Sequence, residues 1–336
     1  MKHFSIFLAA MISVLLMGSC QKSQFAGDAP QGDLVTVTLN VQAPATLATK
    51  AIGDGQTADN LVFAVYDDAG VELTDLRQGD WTMSQPELVF DNSAKPQLTL
   101  TTTLVRGKEY TFVCWAQNKN TTCYDFSDMK EIKVDYSTAV AQDETRDAFY
   151  AAEFTGKITD HFSKTITLKR PFAQVNVGTA DAEAAEKAGL DLNALHSTMT
   201  IENAATTLHT FDGKVSGNET VTFAIAPDPD EVLTINAAGY EGATYTWLAM
   251  NYFLVNDGAT SGTGSVNGAD QVNTTVSFKI FDGNTAADEL CAYEVTNVPV
   301  QRNYRSHILG NLLTADGTIT VVIEPDFLNP DYVVGL

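Results

Sequence analysis

An all-β fold is what this sequence predicts, and three observations carry the expectation. Apolar and polar residues alternate with period two in short segments along most of the chain. Asp-Gly, Asn-Gly, Gly-Lys and Asp-Asn pairs punctuate those segments, and only one stretch has a convincing helical composition. Many short strands with closely spaced turn signals favour antiparallel sandwiches over βαβ units. The expectation is two tandem β-sandwich domains with one short surface helix, behind an N-terminal signal.

That signal is the first element. Lys2 and His3 give a basic start, and residues 4–17 form an uncharged, mostly apolar run that Gly18 and Ser19 close before Cys20. This is the three-part shape of a secretory signal. At about 14 residues the run is shorter than the roughly 20 that a membrane-spanning helix needs. The closing cysteine makes it similar to a bacterial lipoprotein signal, in which residues 1–19 are removed and Cys20 carries the lipid. Met17 departs from the leucine usual in that box, although Leu15 and Leu16 stand just upstream. The competing reading is a plain secretory peptide with a chance cysteine. Residues 20–33, rich in Gln, Gly, Ser, Asp and Pro, read as a tether.

Removing 19 of the 336 residues leaves 317, since 336 − 19 = 317. At about 100–200 residues per domain that suggests two domains, each burying its own core. The chain holds 42 Asp and Glu against 20 Lys and Arg, a formal net charge of −22. Phosphate-backbone binding needs clustered positive charge, which argues against nucleic acid as a partner. Anionic lipid head groups would be repelled too, which leaves membrane attachment to the lipid on Cys20. Cys114, Cys123 and Cys291 remain. A hairpin that paired Cys114 with Cys123 in a disulfide is one reading; buried thiols serving as small apolar side chains is the other. With no CxxC pair, a structural zinc site is not expected.

The first mature strand is 34–43, where Val35, Val37, Leu39 and Val41 alternate with Thr36, Thr38, Asn40 and Gln42. Similar patterns predict strands over 61–66, 98–105, 110–115, 165–169, 221–225, 245–255, 275–281, 290–295 and 318–323. The domain boundary falls near Lys169, Arg170, Pro171 and Phe172, where a strand meets a proline and a new alternation starts with Phe172, Val175 and Val177. This gives an N-terminal domain of 34–170 and a C-terminal domain of 171–336. Asp181 is placed to cap an Ala/Glu/Lys helix over 182–188 that Gly189 ends. Residues 256–273 are too long for a tight hairpin and read as a loop.

Chemistry is hard to find. The stretch 262–268, GTGSVNG, lacks the spacing and the strand–helix context of a dinucleotide fingerprint. HExxH, GxSxG and P-loop patterns are absent, and His161, His196, His209 and His307 have no partner at metal-ligand spacing. Asp282, Asn284, Asp288 and Glu289 sit close together without the order of an EF-hand, so a solvated turn is favoured over calcium. Asp228, Asp230 and Glu231 read as an acidic turn between prolines. Chance pairs among so many acids leave glycoside chemistry open in principle. Trp81, Trp115 and Trp247 are possible sugar platforms, but Trp115 and Trp247 lie in apolar strands and read as core. The expectation is no catalytic residue, no metal and no cofactor.

Four features together resemble a known family: the lipoprotein signal, two successive β-rich domains, the Lys169-Arg170-Pro171-Phe172-Ala173 junction, and the closing run Arg302-Asn303-Tyr304-Arg305 with Leu309-Gly310-Asn311-Leu312-Leu313-Thr314. They are similar to the fimbrillin-like lipoproteins of Bacteroides and Porphyromonas relatives, across essentially the whole mature chain. The resemblance implies two transthyretin-like, fimbrillin-type sandwiches, an outer-membrane lipid anchor, and a role as subunit or anchor of a fimbrium whose partners are other subunits, whether different chains or copies of itself. In polymerising members a trypsin-like protease cuts after a basic residue that follows the first strand, and a neighbour's strand fills the emptied groove.

By that resemblance, 34–43 is the strand to lose and 47–55 the cleavage loop. Lys50 is the sole basic residue between Lys22 and Arg77, and its small neighbours suit a protease. Polymerising members usually offer arginine there, and Lys50 as an ordinary solvated residue is the competing reading. Ile319, Val321 and Ile323 suit a strand that donates or completes a sheet. The alternative function is a monomeric outer-membrane lipoprotein that binds glycan or host protein through loops such as 256–273. A secreted hydrolase lacks every motif sought.

Overall fold

The structure is a computed structural model, and it describes residues 33–43, 57–89, 97–137, 142–225, 232–235, 239–255, 271–283, 288–314 and 319–324. Cys20, Lys50 and the loop positions 256–270 lie outside these residues, as do Asp228, Asp230, Glu231 and Asn284.

Up to residue 170 the strands are β1 (Leu34–Gln42), β2 (Asn60–Tyr66), β3 (Leu88–Val89), β4 (Gln97–Val105), β5 (Glu109–Gln117), β6 (Tyr124–Asp125), β7 (Glu131–Val134), β8 (Ala148–Lys157) and β9 (Phe162–Thr167). Beyond it come β10 (Phe172–Thr179), the helix α1 (Ala182–Lys187), β11 (Leu195–Ala205), β12 (Thr207–His209), β13 (Val215–Ser216) and β14 (Glu219–Ile225). The last strands are β15 (Val232–Ile235), β16 (Ala243–Val255), β17 (Val272–Asp282), β18 (Glu289–Val300), β19 (Arg305–Gly310) and β20 (Ile319–Glu324). The all-β expectation holds.

Four sheets organise these strands. Sheet A has the order β4-β1-β9, sheet B β3-β2-β5-β8, and sheet C β13-β12-β7-β6. Sheet D runs β18-β17-β11-β16-β10-β19-β20, with β14 on β11 and β15 on β16. The same motif occurs twice. β1 lies antiparallel to β4 and parallel to β9, and β10 lies antiparallel to β16 and parallel to β19.

Sheets A and B enclose one core: Val37, Leu39 and Ile166 meet Phe63, Phe112 and Phe149. The opposite face of sheet B, with Val62, Val113 and Trp115, joins a second core that continues through Tyr124, Met129 and Phe172 into sheet D. Sheet B is therefore buried on both faces, which is why β2 reads as an unbroken apolar run rather than an alternation. It also explains the cysteines. Cys114 points into the first core and Cys123 lies in the second, so the disulfide reading is overturned and both are free, buried thiols.

Sheet C takes β6 and β7 from before Pro171 and β12 and β13 from after it, pairing Leu208 with Ile132. The segment after β12 closes this joint, with Thr210 Oγ1 donating to the Met129 carbonyl at 2.7 Å and the Phe211 ring set edge-on against Tyr66.

Two sequence expectations need correction. β9 begins and ends earlier than the expected 165–169, because Leu168 is buried but lies past the ladder. Asp181 sits at the helix N-cap yet makes no capping bond; its carboxylate serves Leu313 and Thr314 instead. Gly189 does follow the helix with φ +101°, a backbone only glycine adopts readily.

Candidate assembly groove

The alternation in β1 is the local reason for the site. Its inward residues Val35, Val37, Leu39 and Val41 are each fully buried, while Thr36, Thr38, Asn40 and Gln42 stay at the surface. A strand with one wet face normally sits anywhere in a sheet, but β1 occupies the centre of sheet A. Nine register pairs, from Leu34 opposite Val105 to Gln42 opposite Gln97, tie it to β4. Six more, from Val37 opposite Phe162 to Gln42 opposite Thr167, tie it to β9.

Flanking backbone contacts continue the seam. Arg106 N donates to Asp33 O at 2.5 Å, and Leu168 N donates to Gln42 O at 2.9 Å. Beside the strand, Thr36 N donates to His161 Nδ1 at 2.8 Å, so this histidine serves the edge of the groove. Lys164 faces Leu39 in the register, and its ammonium pairs with Glu153 of β8 at the sandwich rim. The floor beneath β1 is aliphatic and aromatic, from Leu61, Phe63, Val65, Phe112 and Phe149.

Removing β1 would do two things at once. It would open four apolar pockets, together roughly 6–12 kcal/mol of burial at about 1.5–3 kcal/mol per side chain. It would also turn β4 and β9 into two facing unpaired edges, a slot with the hydrogen-bonding pattern of a missing strand. Such a loss is comparable to the whole stability of an ordinary domain, about 5–15 kcal/mol. β1 reaches β2 only through 44–56, and β2 lies in a different sheet. A cut there leaves β1 held by noncovalent contacts alone.

At the far end of the chain, β20 pairs with β19 alone among the described residues, at the edge of sheet D. Just before it, residues 312–314 are clamped. The Asp181 carboxylate accepts from Thr314 N at 2.7 Å, Thr314 Oγ1 at 2.6 Å, Leu313 N at 3.2 Å and the Thr179 hydroxyl. Burial alone would raise this carboxyl, but these hydrogen bonds outweigh it and hold the group below the ordinary carboxylate value. Tyr293 OH and Cys291 Sγ both donate to Leu312 O, at 2.9 and 3.2 Å. Pattern reading missed this clamp, because its central carboxylate, Asp181, lies more than a hundred residues before Leu313 and Thr314.

The other sequence candidates do not converge. Trp115 and Trp247 are core, and Trp81 packs on Phe126 with ring centroids 5.2 Å apart. His209 faces Ser216 at 2.8 Å, and His307 is fully buried on β19. Among the described residues no three His, Cys, Asp or Glu side chains form a metal-binding group. A second concavity of about 580 Å³ lies between residues 133–137 and 219–222, with Thr206 and Thr207 alongside. Its walls are mostly polar, and Asp135 there is tied to Ser137 N at 2.8 Å.

Comparison with known proteins places residues 30–334 in a family of unknown function, DUF6562. No curated protein matches the chain. Solved structures are similar at low identity. A candidate polysaccharide-binding protein of Bacteroides thetaiotaomicron has 12% identity and a TM-score of 0.47, covering 87% of this chain and 96% of that one. The tip fimbrial protein Mfa3 of Porphyromonas gingivalis, with a C-terminal truncation, has 12% identity and a TM-score of 0.45, covering 86% and 99%. The fimbrial anchor protein Mfa2 of the same organism has 11% identity and a TM-score of 0.41, covering 87% and 98%. Likenesses at this level carry no functional argument.

Proposed function

This chain belongs to the DUF6562 family, of unknown function, and we propose that it is a non-catalytic cell-surface lipoprotein that joins a fimbrium as subunit or anchor by β-strand replacement. Cys20 carries the lipid that holds it to the outer membrane. In the subunit version, cleavage after Lys50 frees β1 and a strand from another subunit takes its place.

The observation that carries this reading is the position of β1. It is the central strand of its sheet, its four inward side chains are fully buried, and 44–56 is its only forward link to the fold. A strand that is central yet joined to the rest by one segment is built to be exchanged as a unit. The lipoprotein signal and the single basic residue in that segment support the same reading from sequence.

The test is the N-terminal sequence and mass of protein recovered from cell envelopes, followed by protease treatment of the mature chain. Cleavage after Lys50 should yield a product that either assembles or becomes protease-sensitive, while Lys50→Gln stays intact and monomeric. Envelope protein that always begins at Cys20, with no fragment starting at Ala51, would remove the subunit version. An anchor that keeps both strand and lipid would remain, or the monomeric lipoprotein.

A further inference from the structure

β1 is read on both of its faces. Its inward side chains fill four apolar pockets, and its outward side chains enter an uncharged array. The residues facing Thr36, Thr38, Asn40 and Gln42 on β4 and β9 are all threonine, serine or glutamine, on a chain of net charge −22. Asn40 bridges both neighbours at once. Its Nδ2 donates to Ser163 Oγ at 3.2 Å, and its Oδ1 accepts from Thr99 Oγ1 at 3.1 Å. Gln42 Nε2 donates to Thr167 Oγ1 at 3.0 Å. A hydroxyl or an aliphatic group at position 40 cannot span the two strands in this way.

The edge strand β20 is the obvious candidate that a second copy would offer, and it fits poorly in either register. With Ile319, Val321 and Ile323 set on the places of Val35, Val37 and Leu39, Pro325 falls on the place of Val41. Proline has no N–H to give and is confined to edge strands, so in this central strand it removes a ladder bond to a neighbour. Shifted to Val37, Leu39 and Val41, the strand puts Gly317 over the pocket of Val35 and Val322 on the place of Asn40. One pocket is then empty and the amide bridge is lost.

We infer, resting on the strand-replacement reading, that this groove selects a strand from a different subunit with the pattern of β1, and that the β20 of a second copy is not its occupant. The pattern is four alternating aliphatic residues, an amide at the place of Asn40, neutral hydroxyl or amide side chains at the places of Thr36, Thr38 and Gln42, and no proline over nine residues. The backbone ladders to β4 and β9 give affinity, the usual role of the main chain in strand addition, and the side-chain places on both faces of the strand give specificity.

The experiment uses the full mature chain carrying a specific protease site within 44–56. After cutting, labelled peptides are offered: residues 33–43, the same peptide with Asn40→Leu, and residues 315–326. The 33–43 peptide should exchange with the resident strand. Losing the two hydrogen bonds of Asn40 should weaken binding about fivefold or more. Losing a filled pocket as well should weaken the 315–326 peptide by about 100-fold or more. The cut chain alone should form no ladder of homopolymer. Equal binding of all three peptides, or a homopolymer ladder, overturns the selectivity and leaves strand replacement standing. A cut chain that admits no peptide overturns strand replacement and the selectivity with it. As a check that does not depend on cutting, Asn40→Leu in the uncut chain should lower the urea midpoint; an unchanged midpoint overturns the role given to Asn40.

Discussion

Arg170 and Asp147 form a two-point ion pair inside the molecule, Nε to Oδ1 at 2.6 Å and Nη2 to Oδ2 at 2.5 Å, with both side chains 1% exposed. The same guanidinium reaches Asn303 Oδ1 at 3.1 Å and lies 4.8 Å from the centre of the Phe149 ring. One side chain thus ties the residue that leads into β8 to the turn that precedes β19. This is the Arg170 of the junction motif, and Asn303 belongs to the closing run, so the structure gives both sequence motifs one shared physical task.

Breaking that pair should be severe. Asp147→Asn or Arg170→Met leaves an uncompensated or unfilled buried position, and removing one partner of a buried pair costs about 3–5 kcal/mol. Urea denaturation of each variant measures it. An effect under about 1 kcal/mol, the range of surface pairs, would mean that the pair is solvated in solution.

Much of this fold was legible from sequence, and the illegible parts have identifiable causes. β1 could be read because one face is wet and the other dry, the condition that produces alternation. β19 was hidden because its buried residues include Arg305, Ser306 and His307, which no hydropathy pattern marks as interior. β11 was hidden in part by Ser197, a buried hydroxyl among Leu195, Met199 and Ile201. Sheet C is built from strands of two to four residues joined across the junction, too short for any periodicity to register. The division at Pro171 into two folding units is a proposal that sheet C makes testable. Separately expressed 34–170 would expose Ile132 where Leu208 covers it, so each half should be less stable than the intact chain by calorimetry.

The Asp181 clamp gives a pH dependence with a definite sign. Its folded pKa lies below the ordinary value, so the stabilisation is fully present above that value and is lost as pH falls through the lowered one. Amide exchange at Leu313 and Thr314, corrected for intrinsic rate, should therefore rise on acidification below about pH 4. Asp181→Asn should show the faster exchange already at neutral pH. Unchanged protection in that variant would show that Tyr293 and Thr179 hold the segment without the carboxylate.

The proposed anchoring rests on Cys20. Two or more acyl chains give stable membrane attachment, and the strongly acidic protein surface adds none. Cys20→Ala should move the protein from the outer-membrane pellet to the soluble fraction. Sedimentation equal to wild type would end the lipid-anchor proposal.

The groove itself predicts a contrast between neighbouring residues on β1. Leu39 is fully buried among residues of the first core, whereas Thr38 points to solvent one position away. Leu39→Ala removes buried methyl groups and leaves a cavity, which costs about 2–5 kcal/mol. Thr38→Ala gives up only strand propensity and cross-strand contact, a few tenths to about 1 kcal/mol. In the uncut chain this appears as a large shift of the urea midpoint for Leu39→Ala and a small one for Thr38→Ala. In the chain cut within 44–56 the same difference becomes kinetic. Nothing covalent then retains β1, so the Leu39→Ala strand should leave faster and the Thr38→Ala strand at nearly the wild-type rate. Equal release from both variants would mean that the pockets under β1 do not hold it, and that the backbone ladders to β4 and β9 carry the retention instead.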